Sequence, residues 1–130
     1  MLSNCPYLFV YGKLKHDQQN EHSEFLKQMA FRMGNGYVLG KIYLINNDYP
    51  GLILTRNPNE KVFGEVYKIT NEHVFETLDK YENAWPLVKK DADYERIVEK
   101  VSFNDMILTC WMYVYNRPID EAAQIKSGVF

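Results

Sequence analysis

Glu82 carries the strongest local signal for chemistry in this sequence. The stretch from about Asn71 to Glu82 has helical periodicity. With Val74 at zero and about 100° per residue, Leu78 falls near 40°, Phe75 near 100° and Tyr81 near −20°. Glu82 falls at roughly 80° by the same rule, between Leu78 and Phe75, whereas Glu72 and Glu76 fall on the far side. An ionised carboxylate on an apolar stripe is costly to bury unless it is paired or hydrogen-bonded. Desolvation raises a carboxyl pKa, which makes the group a better base and a usable acid near neutral pH. Two structural alternatives compete with proton transfer. The helix could end at Tyr81 and release Glu82 into water, or Glu82 could pair with Arg96.

A second feature is the break after an apolar run, Phe9-Val10-Tyr11-Gly12-Lys13-Leu14. A glycine at a strand end can turn successive N–H groups toward one point and build an anion-binding nest; an ordinary turn is the plainer alternative. Glycine spacing fits neither a phosphate loop nor a dinucleotide fingerprint. Asp79 and Glu82 stand three apart on the helix, but no histidine or cysteine completes a metal set, so no metal site is expected. His16, His22 and His73 lie in polar surroundings and read as surface residues. Cys5 and Cys110 read as small buried thiols rather than as nucleophiles or a disulfide. No serine stands in a nucleophile-elbow context.

These residues need a scaffold, and the strand signals supply most of it. Tyr7–Tyr11, Tyr37–Ile45, Leu52–Leu54, Val62–Ile69, Tyr94–Phe103 and Met106–Tyr115 have the apolar or alternating patterns of strands. In the fourth, Val62, Gly64 and Val66 face one way and Phe63, Glu65 and Tyr67 the other. The turn Ser102-Phe103-Asn104-Asp105 predicts a hairpin between the last two. Helices are expected over about Glu21–Met33, stopped by Gly34, and over Asn71–Glu82, capped by Thr70. Six strands and two short helices give an α+β architecture whose strands could curl into a small barrel.

Composition sets the outer limits. The chain has 130 residues, 46% hydrophobic and 25% charged, with 15% aromatics and ten tyrosines. That fits one domain, residues 1–130, with a real core. A net charge of −2 offers no basic excess for a nucleic-acid backbone. No apolar run approaches the roughly 20 residues needed to span a bilayer. The start, Met1 to Pro6, has neither a basic cluster nor a sustained apolar stretch, so a cytoplasmic protein is expected.

The ordered motifs together resemble the gamma-glutamylcyclotransferase-like superfamily, and more closely its AIG2-like, gamma-glutamylamine cyclotransferase branch. Phe9-Val10-Tyr11-Gly12-Lys13-Leu14 is similar to the opening strand and its Tyr-Gly-Thr/Ser-Leu loop. Tyr49-Pro50-Gly51-Leu52 resembles the Tyr-Pro segment, and Val62-Phe63-Gly64-Glu65-Val66-Tyr67 the Val-x-Gly-x-Val/Leu-Tyr strand. Leu78-Asp79-Lys80-Tyr81-Glu82 resembles the Leu-Asp-x-Tyr-Glu helix end, Tyr94-Glu95-Arg96 the strand after it, and Tyr113 to Tyr115 the last barrel strand. Lys13 stands where the family has a small hydroxyl residue, and Asn83 where a glycine commonly follows the glutamate.

The resemblance implies a small, mostly antiparallel (mixed) β-barrel flanked by short helices. It implies cyclisation of a small-molecule gamma-glutamyl amine or peptide to 5-oxoproline with release of the amine, and no metal or organic cofactor. The family's catalytic glutamate falls on Glu82. Substrate contacts are expected from Tyr11, Gly12, Lys13, Leu14, Tyr49, Pro50 and Tyr115. The segment Asn83–Asp93, with Trp85-Pro86, is expected to act as a lid or to restrict the leaving group. Two other readings use the same barrel: a non-catalytic module that holds a small ligand or a protein partner, and an amide hydrolase with a Glu82-activated water.

Overall fold

The computed structural model describes residues 5–119 and 122–130; residues 1–4, part of the segment weighed above for an export signal, lie outside them. In chain order the elements are β1 (Tyr7–Val10), α1 (Glu21–Met29), β2 (Ala30–Ile45), β3 (Tyr49–Leu54), β4 (Lys61–Ile69), α2 (Val74–Glu82), β5 (Ala84–Trp85), β6 (Tyr94–Phe103), β7 (Met106–Tyr115) and β8 (Ala123–Gln124). Five strands close on themselves in the order β2-β4-β1-β7-β6, and Tyr37 paired to Ser102 completes the ring. Four of the five pairings are antiparallel; β1 and β7 run parallel, with Leu8 opposite Trp111. The fold is therefore a small mixed, mostly antiparallel barrel with two short helices, as the sequence patterns and the resemblance predict. The far half of β2 leaves the ring and carries β3 and β8.

Alternation divides the apolar side chains into two cores. Phe9, Val38, Val62, Val66, Val101, Phe103, Cys110 and Met112 fill the barrel. Leu8, Val10, Tyr67, Ile69 and Tyr113 face outward and are covered by Leu26 of α1 and by Val74, Phe75 and Leu78 of α2. Burial of side chains that size stabilises by roughly 1.5–3 kcal/mol each, so the helices are held mainly by their apolar faces.

Several boundaries differ from expectation. α1 stops at Met29, not at Met33, because Ala30, Phe31 and Arg32 pair with Ile69, Lys68 and Tyr67. Tertiary pairing overrides the helical spacing of Ala30 and Met33. Gly34 does not end the helix. It lies at a register shift in β2 with φ of +148°, a conformation that favours glycine. Asn20 caps α1 by accepting from the N–H groups of His22 (3.0 Å) and Ser23 (2.9 Å). Thr70 does not cap α2. That helix starts at Val74, and Asn71 shapes its approach by accepting from the His73 N–H at 3.0 Å. The third strand begins at Tyr49, after a hairpin turn in which Asn46 and Asn47 take positive φ. The predicted last hairpin turns through Asn104 and Asp105, both at positive φ, the geometry that matches strand twist. The two-residue strands β5 and β8 carry no periodic signal and were not anticipated.

Candidate active-site cleft

One cleft of about 320 Å³ collects most of the residues singled out above, a volume suited to a small ligand. Its wall is built from five places in the chain. The end of β1 and the loop after it contribute Tyr11, Gly12, Lys13 and Leu14; the β2–β3 hairpin contributes Asp48, Tyr49 and Pro50; the end of α2 contributes Tyr81, Glu82 and Asn83; Asp93 and Tyr94 open β6; Tyr113 comes from β7. Tyr115 lies outside this lining. It packs edge-on against Tyr94 with ring centroids 5.4 Å apart, one step behind the wall.

Glu82 is the last residue of α2, and the helix runs through it rather than stopping at Tyr81. Asn83 follows in the left-handed conformation (φ 52°, ψ 56°), with its N–H returned to the carbonyls of Asp79 and Lys80. Asparagine tolerates that conformation better than most residues, so it can stand at a position where glycine is the other ready choice. Glu82 is half-buried and lines the cleft. Burial pushes its carboxyl up to about 8, with the charge of Asp79 adding to the effect. Among the described residues no cation pairs with it. The alternative partner, Arg96, is engaged elsewhere. Its Nε and one terminal nitrogen donate to the two oxygens of Asp79 (2.8 and 3.1 Å), and the Tyr113 hydroxyl donates to the same carboxylate at 2.7 Å. The Arg96 guanidinium lies between the rings of Phe75 and Trp111, 4.3 and 4.5 Å from their centroids.

This Asp79–Arg96–Tyr113 group was missed by the sequence reading. Asp79 is 3% exposed, so the buried face of α2 is wider than the stripe of Val74, Phe75 and Leu78. A signal was present: on the helical wheel Asp79 falls about 40° from Phe75, and a carboxylate at the edge of an apolar stripe needs a partner.

The loop after β1 is shaped by close approach. A Cβ on Gly12 would overlap the ring of Pro50, so glycine alone lets the loop and the β3 hairpin meet. The Gly12 carbonyl accepts from the Lys15 N–H (3.1 Å) and the Lys13 carbonyl from the Asn20 side-chain amide (2.9 Å). Among the described residues no main-chain carbonyl accepts from the N–H groups of Gly12, Lys13 or Leu14. Those donors lie along the cleft wall. The Lys13 ammonium reaches Asp48 at 2.6 Å across the rim, with the carboxylate largely in water.

Tyrosine hydroxyls brace the wall. Tyr11 donates to the Tyr113 carbonyl and Tyr94 to the Pro50 carbonyl, both at 2.6 Å. Burial, then the charge of Glu82, holds the Tyr11 phenol well above its ordinary range; burial likewise raises Tyr94 and Tyr113. Asn83 and Asp93 border the cleft and join each other at 3.0 Å, while Trp85 and Pro86 border a separate groove beside Arg96 and Trp111. The lid expected over Asn83–Asp93 is thus reduced to its two ends. Both cysteines are buried as free thiols, and burial pushes Cys110 up to about 12, far from a nucleophilic thiolate.

A closed five-stranded barrel with a carboxyl group and a main-chain donor loop in one cleft matches a known class. Residues 8–130 fit the family described as gamma-glutamyl cyclotransferase, AIG2-like. The chain is 33% identical over 127 residues to the gamma-glutamylcyclotransferase family protein YtfP of Escherichia coli K12, covering 93% of this chain and 92% of that protein. It belongs to the gamma-glutamyl cyclotransferase, AIG2-like family. The solution structure of E. coli YtfP superposes with a TM-score of 0.65 at 30% identity, covering 95% of both chains. A mouse AIG2-like protein gives a TM-score of 0.69 at 22% identity, covering 89% of this chain and 80% of that one. YkqA of Bacillus subtilis gives 0.71 at 21% identity, with this chain spanning 96% of its own length and 39% of that longer protein. The last two establish likeness of fold. Among the described residues no helix is long and apolar enough to cross a membrane.

Proposed function

We propose that this chain is a cofactor-free cyclotransferase that converts a gamma-glutamyl amine or peptide to 5-oxoproline and the free amine, with Glu82 as general acid and base. The observation that carries the reading is the placement of Glu82, its carboxyl raised to about 8, in the same cleft as the Gly12–Leu14 donors. Ionised Glu82 takes a proton from the substrate α-ammonium. The freed nitrogen attacks the γ-carbonyl carbon and closes the five-membered ring. The oxyanion of the tetrahedral intermediate accepts hydrogen bonds from the main-chain N–H groups of Gly12, Lys13 and Leu14. Glu82 then gives its proton to the departing nitrogen as the exocyclic C–N bond breaks, and the ring nitrogen sheds its second proton to the released amine, which leaves as an ammonium ion. Both reacting groups belong to one molecule, so the protein has only to hold a near-attack geometry and move protons. Tyr11, Tyr49 and Pro50 shape the cleft around the glutamyl group, and Tyr115 supports it from behind Tyr94.

The test is direct. The protein is incubated with a panel of gamma-glutamyl amines and dipeptides, and 5-oxoproline is quantified. Turnover by the wild-type chain that is lost in Glu82→Gln supports the reading. Release of free glutamate in place of 5-oxoproline would assign a hydrolase, and thermal stabilisation by the panel without product would assign a binding module.

A further inference from the structure

Glu65 is a buried carboxylate that the reaction above does not use. It lies on β4, 4% exposed, on the outward face opposite Gly64 and Val66. Burying an ionised carboxylate requires donors, and Glu65 takes them from another part of the chain. The main-chain N–H of His16 donates to its Oε1 at 2.8 Å, and the His16 ring Nδ1 meets its Oε2. The Arg32 guanidinium of β2 approaches the same oxygen at 3.4 Å.

His16 lies two residues beyond Leu14, in the connection from β1 to α1 that supplies the cleft's N–H donors. No strand ladder defines that connection. Turn bonds run from the Lys15 and Gln18 N–H groups to the Gly12 and Lys15 carbonyls. Side-chain ties add to the turns: Glu65 to His16, the Lys15 ammonium to the Phe130 carbonyl (2.8 Å), the Lys13 ammonium to Asp48 (2.6 Å), the Ser23 hydroxyl to the Gln18 carbonyl (2.7 Å) and the Asn20 amide to the Lys13 carbonyl (2.9 Å). Among these ties Glu65 alone accepts from both the main chain and the side chain of one residue, so it fixes the loop's backbone as well as its position. It is also rooted in the barrel wall, whereas Asn20 belongs to the same connection.

We propose that Glu65 is a positioning residue: by gripping His16 it holds the Gly12–Leu14 segment so that its N–H groups converge on the substrate carbonyl oxygen. This rests on the cyclotransferase reading. Loosening the grip moves donors that act on the transition state, and a displacement near 1 Å is worth roughly a hundredfold in rate. Glu65→Gln keeps the volume and an acceptor for the His16 N–H but loses the charge; kcat is expected to fall about tenfold with KM changed by less than about threefold. Glu65→Ala removes both bonds, and kcat falls about a hundredfold or more. The double variant Glu65→Ala/His16→Ala is no slower than Glu65→Ala, because the two side chains act as one unit.

Steady-state kinetics on the 5-oxoproline assay is paired with hydrogen exchange of the peptide covering residues 11–20. Faster exchange confined to that peptide in Glu65→Gln, together with the kcat loss, supports the role. A folded Glu65→Gln or Glu65→Ala protein with wild-type kcat overturns it, as does unchanged exchange in that peptide. A wild-type protein inert toward the whole substrate panel overturns the cyclotransferase reading instead, and the positioning role falls with it.

Discussion

Replacing Glu82 with glutamine should stabilise the protein as the pH rises, while abolishing turnover. The cleft pushes this carboxyl up to about 8 from an ordinary value of 4.5. Between those values the folded chain holds a proton that the unfolded chain has released. The native state therefore binds more protons, and its stability falls with rising pH across that window. Each pH unit costs about 1.36 kcal/mol, so a window from 4.5 to about 8 sets an upper limit near 5 kcal/mol. Glu82 is half-buried and faces water in the cleft, which screens the charge; an expected cost of about 2 kcal/mol allows for this. Glutamine has the same shape and does not titrate. Urea unfolding of both proteins from pH 4.5 to 9 should show curves that coincide at the acid end and separate to about 2 kcal/mol in favour of Glu82→Gln by pH 8.5. Activity of the variant should fall by roughly 10²–10⁴-fold. Parallel unfolding curves across the whole range would refute the claim that burial raises this carboxyl.

In the wild type, kcat/KM should climb with an ionisation near 8 rather than near 4.5, read from a pH–rate profile. Asp79→Asn should move that ionisation downward, since the Asp79 charge contributes to raising Glu82, and should lower stability by about 3 kcal/mol because Arg96 loses its buried counter-charge. Gly12→Ala should drive the loop from the Pro50 ring, costing about 1–3 kcal/mol in thermal or urea unfolding and at least tenfold in kcat/KM. Lys13→Ser should change stability by less than about 1 kcal/mol, because its ion pair with Asp48 is solvent-exposed; a shift in KM among substrates with different leaving amines would locate that part of the substrate at the rim.

Periodicity was informative where one helix or strand decides the outcome. The phase of α2 put Glu82 beside Leu78 and Phe75, and the alternation of β4 separated Val66 from Glu65 and Tyr67. It failed where distant residues decide. Nothing local says that Ala30–Arg32 will join Ile69–Tyr67 instead of prolonging α1. His16 is exposed, as its polar surroundings predict, but its tie to Glu65, 49 positions away, has no local signal. The phase of Asp79 on α2 hints at burial, but nothing local identifies its partner Arg96, 17 positions on. His22, also read as a surface residue, stacks on Tyr81 with ring centroids 3.7 Å apart. Tyr115 was drawn toward the cleft by its neighbours in the last strand, but of its same-face pair only Tyr113 reaches the wall.

The abundance of tyrosine has a structural cause at the cleft. The wall forms where β1 and β7 run out and the β3 hairpin crosses them. Barrel hydrogen bonding stops there, leaving carbonyls and one carboxylate to be satisfied. Phenylalanine would fill the same space but offer no donor. Tyr11 answers the Tyr113 carbonyl, Tyr94 the Pro50 carbonyl, and Tyr113 the Asp79 carboxylate. Each bond links a different pair of elements, so the three together tie β1, β3, β6, β7 and α2 around Glu82. Burial keeps these phenols protonated well beyond the range in which Glu82 titrates. The cleft can therefore change the charge of Glu82 without losing a donor that holds its walls.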